Sequence, residues 1–332
     1  MPGGVDFHRD FQHLQASGHG AARRILSLLH HPVLSCFTPF SGEVPADYHF
    51  DFLGTRIRHR FIAGFSQRWG ARTVENSCPT IDNEYFEWID LLESVVAARG
   101  SYTMMELGAG FGRWAVRAAY AVEQYHPRLP YRLIAAEAEP LKFGWMRLHF
   151  GDNGIDPDRH SLMHAAVSDT PGTVPFYIGG PKGGPFDKDP GAWYGQSLTR
   201  DSDADDNFDE DGDYCGFPVR LHRKTGWRSI CVPGVTLAGL LKGHDRVDLI
   251  DLDLEGQELP SIRSAVKKLN AKVKRLHIGT HGREIEAGLR EVLSRHGWRS
   301  VADYPVFSTS ETPWGTISFQ DGVQSWVNPR LP

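Results

Sequence analysis

Residues 102–112 read Tyr-Thr-Met-Met-Glu-Leu-Gly-Ala-Gly-Phe-Gly. The apolar run at 102–107 is typical of a short buried strand, and a helical pattern begins at about residue 111. Glycines between a strand and a helix let the backbone turn tightly, and they bring the free N–H groups of the helix close to a ligand. We therefore expect a ligand-binding turn at Gly108, Gly110 and Gly112.

Strands and helices alternate on both sides of this turn. Predicted strands cover 102–107, 131–136, 161–167, 247–253, 273–279, 298–303 and 315–319, and predicted helices cover 83–99, 111–124, 140–150, 257–269 and 283–296. This alternation predicts an α/β fold with a doubly wound, Rossmann-like, mostly parallel seven-stranded sheet. No helix separates the last two strands, so we expect the final strand to be antiparallel.

The chain divides into an N-terminal extension and a larger domain. Residues 1–80 are predicted to form an irregular, mostly helical extension, and residues 81–332 to form the α/β domain. A Gly-, Pro- and Asp-rich insertion at 169–230 interrupts that domain, and long insertions of this kind are often lids or substrate-binding elements. Trp193, Tyr194 and Gln196 within it could contact a sugar or a flat acceptor, although packing of the aromatics is an equal alternative.

Composition and charge narrow the classes of function. The 332 residues are 40% hydrophobic and 23% charged, as in ordinary globular proteins. Eight acids at 201–213 account for the net charge of −5 and leave +3 on the rest, so the sequence has no basic face for nucleic acid. We expect the acidic run to be a solvated, mobile loop.

The sequence also gives an expectation for the cellular location of the protein. No apolar stretch is long enough to span a membrane, and residues 1–10 do not have the layout of a secretory signal. The four cysteines form no close pair that would indicate a zinc site or a disulfide scaffold. A cytoplasmic protein is expected, and the sequence assigns no oligomeric state.

Further candidate ligand contacts follow the second and third strands. The segment Ala136-Glu137-Ala138-Glu139-Pro140 places a carboxylate at a strand tip, where it can accept both hydroxyls of a ribose. We predict that Glu137 and Ala138 contact the ligand, whereas Glu139 lies at the start of the next helix and stabilises its dipole. His164 lies where an adenine ring would be covered, with a surface histidine as the alternative.

A third group of candidates follows the fourth and fifth strands. The segment Val247-Asp-Leu-Ile-Asp-Leu-Asp-Leu-Glu-Gly-Gln-Glu258 ends in acids, and His281 follows the adjacent strand. Asp253, Glu255 and His281 are therefore predicted to meet at the edge where doubly wound sheets bind ligands. Capping of the next helix by Glu255 or Glu258 is the alternative, and His277 within its strand is expected to be buried with a partner.

These three motifs resemble those of a known family. The run from Glu106 to Gly112 is similar to motif I of class I S-adenosylmethionine methyltransferases, and residues 247–258 resemble the FkbM-type members. The resemblance covers about 83–300, and Asp251 stands where that family usually has Lys. It implies that Glu106, Gly108, Gly110, Gly112, Glu137, Ala138 and His164 bind S-adenosyl-L-methionine.

The implied reaction is transfer of a methyl group to a hydroxyl of a small-molecule or carbohydrate-like acceptor. A hydroxyl needs a base, so Asp253, Glu255 and His281 are predicted to be base and orienter, or to hold Mg²⁺ or another divalent cation. One alternative is a metal-dependent glycosyltransferase using Asp251 and Asp253. Another is a non-catalytic protein that binds S-adenosylmethionine.

Overall fold

The computed structural model describes residues 29–62, 70–184, 196–199 and 207–331. Within them the strands are β1 (Ser41–Val44), β2 (Tyr48–Phe50), β3 (Arg56–Arg58), β4 (Arg72–Glu75), β5 (Tyr102–Leu107), β6 (Tyr131–Glu137), β7 (Ser161–His164), β8 (Ala166–Ser168), β9 (Gly172–Tyr177), β10 (Phe208–Tyr214), β11 (Phe217–His222), β12 (Arg228–Thr236), β13 (Val247–Leu252), β14 (Val273–Thr280), β15 (Arg299–Tyr304), β16 (Ser308–Thr312), β17 (Gly315–Phe319) and β18 (Gly322–Val327). The α-helices are α1 (Tyr85–Ala97), α2 (Arg113–Tyr125), α3 (Pro140–Asp152), α4 (Leu237–Leu240), α5 (Glu258–Lys272) and α6 (Arg283–Arg295).

The main sheet has seven strands in the order β15-β18-β14-β13-β5-β6-β7. Strands β13, β14, β5, β6 and β7 pair in parallel, and β18 runs antiparallel to both β14 and β15. The predicted Rossmann-like, mostly parallel sheet with an antiparallel last strand is therefore confirmed.

The position of the antiparallel strand differs from the prediction. Residues 315–319 form β17, which pairs with β16 in a separate hairpin, and β18 is the strand inserted in the main sheet. Burial explains the difference, because a strand inside a covered sheet is buried on both faces. Strand β18 is buried at five of its six residues, whereas β17 alternates between exposed and buried positions.

Both faces of the sheet are covered by helices. The central strands β5 and β13 are buried at every residue. Met104 and Leu249 pack on the side of α1 and α2, while Met105 and Ile250 pack on the side of α4, α5 and α6. Alternate residues of one strand thus supply two separate cores, as a doubly wound sheet requires.

The N-terminal extension is not mostly helical where it is described. Residues 29–62 and 70–80 contain strands β1–β4 and two short 3₁₀ helices within irregular chain, so only the mostly helical part of the prediction is wrong for these residues. The hairpin of β2 and β3 is stabilised by tertiary contacts that local sequence does not reveal. Asp51 beside it forms a buried ion pair with Arg117 of α2, with Nε and Oδ2 2.8 Å apart.

The insertion contributes β9, β10 and β11 to a second sheet, which has the order β10-β11-β12-β8 and in which β9 pairs with β12. Strand β10 includes residues 208–213 of the acidic run, so that part is an edge strand and not a loop. Its charged side chains suit an edge because they face solvent. Residues 201–206, with Trp193 and Tyr194, lie outside the described residues. No described helix combines the length and apolar character needed to cross a membrane.

Candidate active site

The glycine turn lies between β5 and α2, as the sequence predicts. Gly108, Gly110 and Gly112 have φ angles of 81°, 54° and 72°, which favour glycine. A Cβ on Gly108 would lie 1.7 Å from the carbonyl oxygen of Asp253. The turn therefore passes against the end of β13 with no space for a side chain.

Glu106 stabilises this turn through hydrogen bonds to the backbone. Its buried carboxylate accepts hydrogen bonds from the backbone N–H groups of Trp114, at 3.1 Å, and Ala115, at 2.7 Å. Burial raises the pKa of Glu106 to about 7, although these two bonds act in the opposite direction. The side chain thus fixes the start of α2 and also lines a cavity above the turn.

Glu137 lies at the tip of β6 and faces the turn. One carboxylate oxygen accepts the N–H of Gly110 at 2.6 Å, and the other accepts the N–H of Glu139 at 2.7 Å. Burial raises the pKa of Glu137 to about 7, opposed first by the nearby Lys142. The carboxylate connects the two ligand-binding loops that the sequence predicts.

Glu139 is a helix cap, as predicted. Its carboxylate accepts hydrogen bonds from the N–H groups of Leu141, at 3.1 Å, and Lys142, at 2.7 Å, at the start of α3. The side chain is fully buried. These contacts satisfy helix N–H groups that would otherwise lack partners.

A small cavity of about 70 Å³ lies beside Glu137, and we call it the β6 cavity. It is lined by Gly108, Ala136, Glu137, Ala138, Ala165, Ala166, Val167, Phe176, Gln196, Leu198, Asp253, Leu254 and Glu255. Gln196 and its neighbours from the insertion form one wall, and Gln196 accepts a hydrogen bond from Lys142. Most of the lining residues are apolar, which suits an adenine ring, and Glu137 at the tip of β6 suits the hydroxyls of a ribose.

His164 is not among the residues that line either described cavity. Its Nε2 lies 2.9 Å from the carbonyl oxygen of Ala138, and its ring packs between Phe143 and Phe217. The histidine therefore supports the loop that follows β6 from behind.

A larger cavity of about 390 Å³ opens on the other side of the glycine turn, and we call it the acidic cavity. The residues that line it include seven acids and two basic side chains: Glu84, Glu87, Glu106, Asp251, Asp253, Glu255 and Asp321, with Arg113 and His277. Gly108, Asp253 and Glu255 line both cavities, which therefore meet at the turn.

The structure brings Asp253, Glu255 and His281 together. Nε2 of His281 lies 3.3 Å from Asp253 and 3.7 Å from both Glu255 and Asp321, while Nδ1 lies 2.8 Å from Oε1 of Glu258. Burial would lower the pKa of His281, but the bond to Glu258 and the nearby carboxylates raise it to about 10. Without a bound metal, His281 is a cation at neutral pH.

Glu255 has an unusual backbone. Its φ angle of 49° is uncommon for a residue with a side chain, and such conformations concentrate at functional sites. Burial raises the pKa of Glu255 to about 7. Glu258, in contrast, accepts N–H groups of Leu254 and Gly256 and so orders this loop.

Asp321 is a member of the site that sequence reasoning missed. It lies in the turn immediately before β18. The sequence signal for Asp321 is that an acid comes directly before a buried strand. The predicted last strand at 315–319 hides this signal, because Asp321 then lies beyond the sheet.

No model of a protein family matches the chain. A protein of Jannaschia sp. (strain CCS1) named "Putative methyltransferase" is 26% identical over 246 residues, which cover 74% of this chain and 79% of that protein. The chain is similar to methyltransferases.

Solved structures of methyltransferases match it as well. The precorrin-6y C5,15-methyltransferase of Geobacter metallireducens GS-15 matches 76% of this chain and 92% of its own, with 11% identity and a TM-score of 0.39. The methyltransferase FkbM of Methylobacillus flagellatus KT matches 70% of this chain and 45% of its own, with 13% identity and a TM-score of 0.38.

Proposed function

We propose that the protein transfers a methyl group from S-adenosylmethionine to a hydroxyl of a small-molecule or carbohydrate-like acceptor. The observation that carries this proposal is the glycine turn, packed without space against β13 and faced by Glu137. The 26% identical relative supports the reaction class.

The two cavities suit the two ends of S-adenosylmethionine. The β6 cavity offers apolar walls to an adenine, and Glu137 offers carboxylate oxygens to the ribose hydroxyls. The acidic cavity, on the other side of Gly108, offers carboxylates to a cationic amino group and sulfonium. We assign the acceptor to the remaining space of this second cavity.

Glu255 is the base in this proposal. When bound, S-adenosylmethionine supplies a methyl carbon that the acceptor oxygen attacks as the carbon–sulfur bond breaks, leaving S-adenosylhomocysteine. The hydroxyl proton passes to the carboxylate of Glu255, whose pKa of about 7 suits a base at neutral pH. His281, held by Glu258, then serves as the cation that orients Asp253 and Glu255.

The glycosyltransferase alternative needs Asp251 and Asp253 to hold one cation together. The two acids instead belong to different groups of side chains, one with Glu87 and His277 and the other with Glu255 and His281. That alternative also gives no role to the glycine turn.

Mass spectrometry tests the proposal. The full-length protein is incubated with S-adenosylmethionine carrying a deuterated methyl group and with an extract of the native host. We expect an acceptor that is heavier by the mass of CD₃ less that of the H it replaces, together with formation of S-adenosylhomocysteine. Binding of S-adenosylmethionine without any labelled product in the extract would instead favour the non-catalytic alternative.

A further inference from the structure

A row of polar side chains crosses four neighbouring strands beneath helix α1. Asp251 of β13 is the register partner of Glu106 on β5 and of His277 on β14, and His277 is the register partner of Ser325 on β18. Register partners project from the same face of a sheet. The row therefore forms the floor beneath α1, and proposed methyl transfer assigns no role to most of it.

Three side chains converge at this floor. Glu87 of α1, Asp251 and His277 each offer one ligand atom, and these atoms all lie within 4.8 Å of one another. All three line the acidic cavity. Hence a group bound among them would be reached from the cavity that we assign to the acceptor.

Asp251 provides an independent indication of a ligand. It is 4% exposed, and its Oδ1 has no hydrogen-bond partner among the residues that the structure describes. Its other polar contact is with Glu87, a second carboxyl group. Two carboxylates cannot remain this close when buried unless a cation or a proton lies between them.

The orientation of His277 suits a metal ligand. Nδ1 of His277 lies 2.8 Å from Oδ2 of Asp90, and Asp90 also accepts hydrogen bonds from Arg275 and Ser325. A carboxylate with these donors is itself only an acceptor, so Nδ1 carries the proton and donates. In the neutral imidazole the lone pair is then on Nε2, which faces Glu87 and Asp251 as a ligand atom of the same group. A histidine oriented by a carboxylate in this way is the usual arrangement at metal centres.

We propose that Glu87, Asp251 and His277 bind one divalent transition-metal ion. Two carboxylates with one imidazole suit Mn²⁺, Fe²⁺ or Zn²⁺ better than Mg²⁺, which prefers oxygen ligands alone. Three protein ligands leave positions for water or for an acceptor hydroxyl. This site is separate from Asp253, Glu255 and His281, and its existence does not depend on methyl transfer.

Manganese binding tests the site in the absence of S-adenosylmethionine. The full-length protein is treated with a chelator, dialysed and titrated with MnCl₂, and bound Mn²⁺ is followed by electron paramagnetic resonance. We expect a stoichiometric site whose pulsed spectrum shows coupling to a ¹⁴N nucleus. His277→Gln should remove that coupling, and Asp251→Asn should weaken binding by at least about 10-fold.

His281→Gln is the matched control, because it changes the histidine of the neighbouring cluster. The His281→Gln protein should still bind one Mn²⁺ with ¹⁴N coupling. This result does not depend on whether the His277→Gln and Asp251→Asn proteins fold. Three results would overturn the proposal: no stoichiometric Mn²⁺, bound Mn²⁺ without ¹⁴N coupling, or coupling that His281→Gln removes and His277→Gln leaves. The first of these would indicate that a proton is shared between Glu87 and Asp251.

Discussion

The carboxylates at the end of the main sheet have two different roles. Glu106 and Glu137 accept backbone N–H groups and so hold the loops in place, and burial raises the pKa of each to about 7. Among the residues that the structure describes, none donates a backbone N–H to Glu255, which lies at the junction of the two cavities. Position and partners distinguish the positioning acids from the one that we assign to proton transfer.

Glu255→Gln should lower the turnover number about 10²–10⁴-fold, because an amide cannot take the hydroxyl proton. The affinity for S-adenosylmethionine should remain within about twofold in a calorimetric titration. Glu284→Gln, an exposed change at the start of α6, is the matched control and should leave both values unchanged. Full activity of Glu255→Gln would remove this residue from the mechanism.

The pH dependence follows from the same residue. A base works only when deprotonated, so the turnover number of the wild type should rise with pH through about 7, where Glu255 loses its proton. Measuring turnover between pH 5.5 and 8.5 (roughly 1.5 units either side of that pKa) checks the sign. A rate that falls as the pH rises over this range would point to a group acting as an acid.

Residue identity alone could predict part of this site. The glycines, Glu137, Glu139 and the meeting of Asp253, Glu255 and His281 follow from their places at strand ends. The polar floor does not, because it depends on the register between β13 and β14 and on how α1 lies across them. Glu87 and Asp90 look like the polar side of an ordinary helix until that packing is known.

At the scale of elements, the glycine turn is a tightly constrained connection. Gly108→Ala should destabilise the protein strongly, since its Cβ would lie 1.7 Å from a backbone oxygen. Gly100→Ala is a matched control, because Gly100 has a similar φ of 75° but no atom within 4 Å of an added Cβ. Gly100→Ala should lower the free energy of unfolding by only about 1–2 kcal/mol, the cost of placing a side chain on a left-handed backbone. Urea unfolding of both variants measures the difference, and equal costs would contradict the close packing.

The start of α3 gives a second test at this scale. Glu139→Ala removes a buried cap that accepts two N–H groups, and it should lower the free energy of unfolding by about 0.5–2 kcal/mol. The exposed Glu123→Ala on α2 serves for comparison and should change stability much less. A larger loss of S-adenosylmethionine affinity in Glu139→Ala than in Glu137→Ala would reverse our assignment of the two acids.

Elements with strong hydrophobic periodicity could be predicted from the sequence. Strands that depend on pairing with a neighbouring strand could not. Strands β5, β6, β13 and β14 and helices α1, α2, α5 and α6 lie near the predicted positions. Strand β10 carries four acids and is stabilised by its partner β11, which overrides its low intrinsic preference for a strand. Strand β18 also depends on tertiary contacts, because its buried Gln324 and Ser325 both have hydrogen-bond partners.

For the whole molecule, the regions outside the main sheet and its helices provide walls of the two cavities. Phe61 and Ile62 of the N-terminal extension line the acidic cavity, while Phe176 and Leu198 of the insertion line the β6 cavity. The extension also shares a hydrophobic core with α1 and α2 through residues such as Phe52 and Leu53. We infer that the extension contributes to acceptor choice, because it borders the cavity that we assign to the acceptor.

Calorimetric titration of the full-length protein with S-adenosylmethionine tests the central claim most directly. We predict binding of one molecule per chain, and affinity at least about 10-fold weaker in Glu137→Gln, which loses a charged acceptor. The exposed Glu123→Gln is the matched control and should bind like the wild type. UDP-sugars with Mn²⁺, and NAD, should give no heat of binding. Absence of S-adenosylmethionine binding, or binding of a UDP-sugar in its place, would contradict the account.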